Sequence, residues 1–184
     1  MNRREALRRF GHAAGALVIW RALPFPSWAA LPEIEGWKKI EVTLLTAIGD
    51  TILPATAGSP GAGSLHIGRF VVMMLAECHA PADSEDVRSF LSEFERSIGS
   101  NDGERFEQLE PDERERRLVE FERRVNAVAA GTGWADGFKV MKRLVLTGYF
   151  TSEPGATQAL RYDPVPGAYH GSVPADATTR AWAT

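Results

Sequence analysis

Apolar residues recur every three or four positions through most of this chain, in blocks ended by proline or glycine, and nowhere alternate in the two-residue rhythm of a half-buried strand. Such a pattern buries one stripe of each segment against others like it, so an all-α fold is expected. The first block carries Trp37, Ile40, Leu44, Leu45, Ile48 and Ile52 and stops at Pro54. Pro54 to Ser64 reads as a loop, because its prolines and glycines are unfavourable inside helices and strands alike. Ser64 is placed to cap a second helix with Ile67, Phe70, Val71, Met74, Leu75 and Cys78 on its buried side. Asp83 or Ser84 caps a third, whose Val87, Phe90, Leu91, Phe94 and Ile98 align before a stop at Gly99.

A polar link from Gly99 to Gly103 leads to a short turn over Phe106 to Leu109. Glu110-Pro111 follows, where proline suits the first helical position. The fourth helix uses Leu118, Phe121, Val125 and Val128 and should end near Gly131 or Gly133; the fifth runs through Trp134, Phe138, Met141, Leu144 and Val145 to Gly148. Residues 30–148 therefore read as a small bundle of about five helices. The similar quartets Glu93-Phe-Glu-Arg96 and Glu120-Phe-Glu-Arg123 reflect a single ring on a charged face, not a repeat.

From Tyr149 to Thr184 the helical period is lost. This tail holds four prolines and four tyrosine or tryptophan rings, on a backbone unsuited to a helix. A solvated linker would be rich in serine, lysine and glutamate. Large rings on an irregular backbone need a surface to cover them, supplied by the bundle or by a partner. If a partner supplies it, a chain ending at Gly148 keeps its helices and loses only the partner.

Residues 1–29 are of a third kind. Arg3, Arg4, Arg8, Arg9 and Arg21 against Glu5 give them +4, which leaves −7 for the remainder of a chain of net charge −3. A body that acidic disfavours nucleic acid, whose phosphates need a basic surface. A basic head, an apolar run from Gly11 to Trp20 and a small-residue exit at Ser27-Trp-Ala29 are the three parts of an export signal. The run is far shorter than the roughly 20 residues of a spanning helix. Asn2-Arg-Arg-Glu-Ala-Leu-Arg8 resembles the twin-arginine motif, with Ala6 where a larger apolar residue is usual. Arg3, Arg4 and Leu7 are thus the candidate signal residues, the twin-arginine export machinery the expected reader, and Ala29 the expected cleavage point. The competing reading is a basic amphipathic helix held at a membrane surface. Without the signal about 155 residues remain, enough to bury roughly two thirds of the unfolded surface.

The chain offers little to an enzymologist. Its single cysteine, Cys78, allows neither an internal disulfide nor a CxxCH haem attachment. In register with an apolar face, it reads as a small inert hydrophobe. The glycines of Gly58 to Gly63 follow a helix, include Pro60 and lack the GxGxxG order of a dinucleotide site. His12 belongs to the signal, and Cys78 and His79, adjacent on a helix, point about 100° apart, which is awkward for one metal. His66 reads as a partly solvated neighbour of a helix start. No serine sits in a GxSxG elbow. The carboxylates from Glu110 to Glu122 alternate with arginines as on a solvated helix face.

Four phrases of the tail, Gly148-Tyr-Phe-Thr-Ser-Glu153, Gly155-Ala-Thr-Gln158, Arg161-Tyr-Asp-Pro-Val-Pro-Gly167 and Gly171-Ser-Val-Pro174, resemble the C-terminal signature of the gluconate 2-dehydrogenase small-subunit family. Ile52-Leu-Pro-Ala-Thr56 and Leu109-Glu-Pro111 extend the likeness into the helices. Ser172 stands where members often have cysteine, and His170 where they have an acidic residue. The resemblance implies a non-catalytic small subunit with no cofactor of its own. Its expected partners are an FAD-containing catalytic subunit of the glucose-methanol-choline type and a multihaem cytochrome c subunit. It further implies that the catalytic subunit, lacking a signal, is exported folded by riding on this chain. The complex would then lie in the periplasm, associated with the cytoplasmic membrane. On that reading the tail wraps the partner through Tyr149, Phe150, Thr151, Ser152 and Glu153, and through Arg161, Tyr162, Asp163 and Tyr169. The alternative is a free-standing periplasmic binding or enzyme domain with its site between bundle and tail.

Overall fold

The computed structural model describes residues 28, 33–98, 105–165, 167–168, 172, 174–176 and 178–183. The signal residues Arg3, Arg4, Leu7 and Ala29, and Tyr169 and His170 of the tail, lie outside this set. Among the described residues five α-helices make up the body: α1 Lys39–Ile52, α2 Ile67–Glu77, α3 Pro81–Ile98, α4 Pro111–Ala127 and α5 Gly133–Phe150. No strand occurs among the described residues. The all-α expectation holds.

Each helix starts or stops for a local reason. The Lys38 backbone N–H donates to the Glu41 carboxylate at 2.6 Å and satisfies one orphan donor of α1. Pro111 opens α4 in the position where its missing N–H is harmless. Pro81 does the same for α3, which therefore begins ahead of Asp83 and Ser84. Those two side chains turn to neighbours instead. Asp83 Oδ2 lies 2.9 Å from His79 Nδ1, and the Ser84 hydroxyl donates to the Leu75 carbonyl, stitching α3 to α2. Nor does Ser64 cap α2. It belongs to a 3₁₀ turn, Ala62–Leu65, and donates to Gly61 O at 2.7 Å. Residue 66 precedes the helix instead, and His66 adopts left-handed backbone angles (φ 53°) that are uncommon for any residue but glycine.

The core is centred on α3 and α5, the most extensively paired helices. Phe90, Phe94, Phe106, Phe121 and Phe138 are buried. Their rings meet edge to face or tilted, as in Phe94–Phe121 at 5.0 Å and Phe90–Phe138 at 5.4 Å. Burial of each ring contributes about 1.5–3 kcal/mol, and each such pair adds about 0.5–1.5. Helix contact is close because two glycines sit at the crossings. A Cβ on Gly137 of α5 would lie 2.1 Å from the Asp86 carbonyl oxygen of α3, and one on Gly68 of α2 would lie 2.4 Å from the Val42 carbonyl oxygen of α1. The charged faces pair across helices, with Arg124 on Glu93 at 2.6 Å and Lys142 on Glu122 at 2.5 Å.

Two apolar positions depart from the periodic reading. Ile40 is exposed, because the buried stripe of α1 begins one turn later at Leu44. Cys78 is exposed as well. The helix ends at Glu77, so Cys78 leaves the apolar face that a continued period would give it, and neither it nor His79 is on a helix. Upstream of α1, Trp28, Ile34 and Trp37 pack against the core. Arg88 of α3 holds this approach, stacking over Trp37 at 4.4 Å and donating to Gly36 O at 2.8 Å.

Candidate functional site

The fifth helix does not stop at Gly148. A Cβ there would come within 2.4 Å of the Phe70 ring, so this glycine makes room for a neighbour and the helix continues to Phe150. Tyr149 consequently falls inside the chain's own core, 3% exposed, with its hydroxyl donating to Pro60 O at 2.8 Å. Ser152 is buried too. Its hydroxyl donates to Tyr149 O at 2.6 Å and accepts from Gly155 N–H at 3.2 Å, folding the chain into the π turn Gly155–Ala159. Phe150 is half-buried against the core and stands edge-on to Tyr149 at 5.1 Å. Of the first group of expected contact residues, Thr151 and Glu153 are exposed.

Beyond the π turn the chain leaves the bundle and returns to itself. Arg161 N–H donates to Ala181 O at 2.8 Å and Ala183 N–H donates to Arg161 O at 2.9 Å, a single parallel bridge between Arg161 and Trp182. The Arg161 guanidinium lies 4.1 Å over the Trp182 ring. Arg180 Nη1 donates to the carbonyls of Thr157 and Gln158, which carry the exposed C-terminal end of the π turn. Residues 157–161 and 180–183 thus form the neck of a closed loop. Tyr162 is 56% exposed, Val165 79% and Trp182 45%, three large apolar side chains held at one neck and its margin. Asp163 accepts from Val165 N–H at 3.0 Å and shapes the turn between them. Farther along, Asp176 accepts from the Thr178 hydroxyl and N–H and from the Thr179 hydroxyl, which hold its carboxylate below the ordinary range.

The tail is therefore two structures. Its first part, through Gly155, is a core element of the bundle; its second part is an exposed loop with Arg161, Tyr162 and Asp163 on it. Val165, Arg180 and Trp182 belong with them. Arg161 and Trp182 are far apart in sequence, a pairing that leaves no periodic trace in it.

A cleft of about 490 Å³ opens elsewhere, between the segment before α1, α1 itself and the start of α2. Ala47 and Val72 are among its apolar lining, Trp37 forms part of one wall, and Asp50, His66 and Arg69 line it too. Asp50 accepts from Gly63 N–H at 2.9 Å and so fixes the turn that places His66. None of the lining residues belongs to the tail. Among the described residues no group of three or more histidine, cysteine or acidic side chains is arranged to hold a metal ion, and no helix is long and apolar enough to cross a membrane.

Comparison with known protein families gives a match. The family model for gluconate 2-dehydrogenase subunit 3 covers residues 39–167, from the first turn of α1 to the exposed loop. No curated protein and no solved structure matches the chain.

Proposed function

Because this chain belongs to the gluconate 2-dehydrogenase subunit 3 family, we propose that it is the non-catalytic small subunit of a periplasmic, flavin-dependent sugar or polyol dehydrogenase. In this role it carries the signal that exports the folded catalytic subunit, and it stabilises that subunit after export. The observation that carries the proposal is the C-terminal loop. Exposed aromatic and branched side chains held on a fixed backbone are the usual anchors of a protein interface. Tyr162, Val165 and Trp182 supply such anchors, with Arg161 and Asp163 as polar flanks. FAD is assigned to the catalytic partner, of the glucose-methanol-choline type, and haem c to a third, cytochrome subunit.

The signal reading supports the export half of the role. A twin-arginine route carries cargo that has already folded, and a chain with no cofactor motif of its own gains from that route only through what it carries. Lysine lacks the planar fork of the guanidinium, so replacing Arg3 and Arg4 together by lysine should strand both the chain and its flavoprotein partner in the cytoplasm. The test co-expresses the two chains and follows dehydrogenase activity and FAD across cell fractions. Undiminished periplasmic activity in the double variant would refute the carrier role, and a flavin bound to the purified single chain would refute the non-catalytic one.

A further inference from the structure

The cleft of about 490 Å³ beside α1 has no part in the proposed function. Its volume falls within the range of about 300–1,000 Å³ usual for small-molecule sites. Val42, Ala47 and Val72 give it an apolar base, with Ala47 and Val72 buried in the bundle. Trp37 adds a flat apolar wall, which the Arg88 guanidinium, 4.4 Å from the centre of that ring, holds in place. Asp50 brings a half-buried carboxylate to this surface. Among the described residues that carboxylate is in no ion pair, and the hydrogen bond it accepts, from Gly63 N–H to Oδ1 at 2.9 Å, leaves Oδ2 an open acceptor. Gly63 is needed for this approach, since a Cβ there would lie 2.7 Å from the carboxylate carbon. The other charged side chains of the lining do not neutralise Asp50. Glu107 is paired with Arg105, Arg69 is engaged in an interaction of its own, and Glu33 and Lys39 are both exposed and offset each other.

A carboxylate with an open oxygen and no counter-charge favours a cation that brings its own hydrogen-bond donors. An apolar base beside an indole wall favours a hydrocarbon body. We propose that the cleft is a binding site for a small organic cation, a protonated amine on an apolar ring or chain, whose ammonium donates to Asp50 Oδ2 while its apolar body lies against Trp37 and Val72. Both anchors are fixed before the ligand arrives, Asp50 by Gly63 and Trp37 by Arg88, so binding has little ordering of side chains to overcome. No lining residue belongs to the C-terminal loop. The site is therefore independent of the partner surface and of the export reading.

The test titrates the full chain calorimetrically with phenethylamine, and with phenethyl alcohol and phenylacetate, which keep the ring and replace the cation by a neutral and an anionic group. The amine should bind one to one with a Kd on the order of 0.1–1 mM, as suits a ligand of so few atoms. The alcohol should bind at least about tenfold more weakly, and phenylacetate not measurably. Asp50→Asn keeps an oxygen for Gly63 N–H and removes the charge, so it should weaken the amine about ten- to hundredfold and leave the alcohol unchanged. Thr43→Trp, at an exposed position of the lining, fills the cleft without touching the core and should abolish amine binding. A capped pentapeptide with a central lysine presents the same cation on a protein backbone and should not bind. Equal affinity for amine and alcohol, or wild-type amine affinity in either variant, would overturn the site. Binding of the peptide in place of the free amine would overturn its assignment to a small molecule. Should Asp50→Asn unfold, the three probes on the wild-type chain and the Thr43→Trp titration still decide.

Discussion

Tyr149 and Tyr162 stand thirteen residues apart in one ring-rich stretch, yet the structure gives them opposite roles, and substitution should separate them. Tyr149 is 3% exposed with its hydroxyl bonded to Pro60 O. Truncation to alanine removes a buried ring and should cost about 3–5 kcal/mol, by analogy with other buried aromatics. Tyr149→Phe keeps the ring and loses one hydrogen bond, about 1 kcal/mol. For a chain of this size each kcal/mol moves the melting temperature by about 2–4 °C, so the expected losses are about 6–20 °C and about 2–4 °C. Tyr162 is 56% exposed. Tyr162→Ala should change stability by no more than about 0.5 kcal/mol, but weaken the complex with the catalytic subunit by about 1–4 kcal/mol if it is a central anchor. Circular dichroism at 222 nm measures the first effect, and co-purification or calorimetric titration with the flavoprotein the second. A chain cut before Tyr149 should for the same reason lose stability along with its partner, contrary to a bundle that closes at Gly148. A Tyr149→Ala chain that melts with the wild type would refute the core assignment. A Tyr162→Ala chain that melts several degrees lower would show the loop to be part of the core.

Three further outcomes follow from single contacts. Gly137→Ala should destabilise the bundle by about 1–3 kcal/mol, because its Cβ meets the backbone of Asp86, which only a shift of α3 against α5 can relieve; a melting temperature at or above wild type would mean that the helices stand farther apart. Trp182→Ala removes an exposed cation–π contact of about 0.5–1 kcal/mol, so limited proteolysis between residues 162 and 178 should quicken while thermal unfolding of the bundle is unchanged. The Asp176 carboxylate is held below its ordinary pKa, first by the Thr178 hydroxyl, so its turn is at full strength above the unfolded-state pKa and is lost as pH falls through the lower folded value. Amide resonances of Thr178 and Thr179 should therefore keep their positions through the usual carboxylate range and move only below it.

The helices were legible because their signals are local. Apolar stripes at helical spacing, with a proline at the first turn of α4, place α1, α3 and α4 within a few residues and select Phe90, Phe94, Phe121 and Phe138 for the core. Where the reading departs from the structure, the deciding contact is distant in sequence. Gly148 resembles a helix stop, since glycine commonly ends helices, but the ring that requires it is Phe70, far upstream in α2. Ser64 resembles a cap, but Asp50 of α1 captures Gly63 N–H and tightens the chain into a 3₁₀ turn before α2 can start. Cys78 fits the apolar period of α2 by count alone, and the period ends one residue too soon. The candidate site divides the same way. Its rings were visible as a composition bias, whereas their sorting into core and surface depends on the Tyr149–Pro60 bond and the Arg161–Trp182 clasp, both closed over long stretches of chain.

Phe70 shows why that sorting bears on function. Its ring lies 4.9 Å from that of Trp28 and packs close against Gly148, one residue before the buried Tyr149. Trp28 and the last turn of α5 therefore meet at a single side chain of α2. A change at Phe70 cannot be read as a change at either contact alone, because loss of the ring removes the partner of Trp28 and also the neighbour for which Gly148 makes room. Trp28→Ala removes the first contact alone, and Tyr149→Phe removes only the bond to Pro60 O. If the losses of stability of these two variants add in the double variant, the contacts are independent. If the double variant departs from the sum, the packing around Phe70 couples them, and one ring links Trp28 to the helix end from which the C-terminal loop departs.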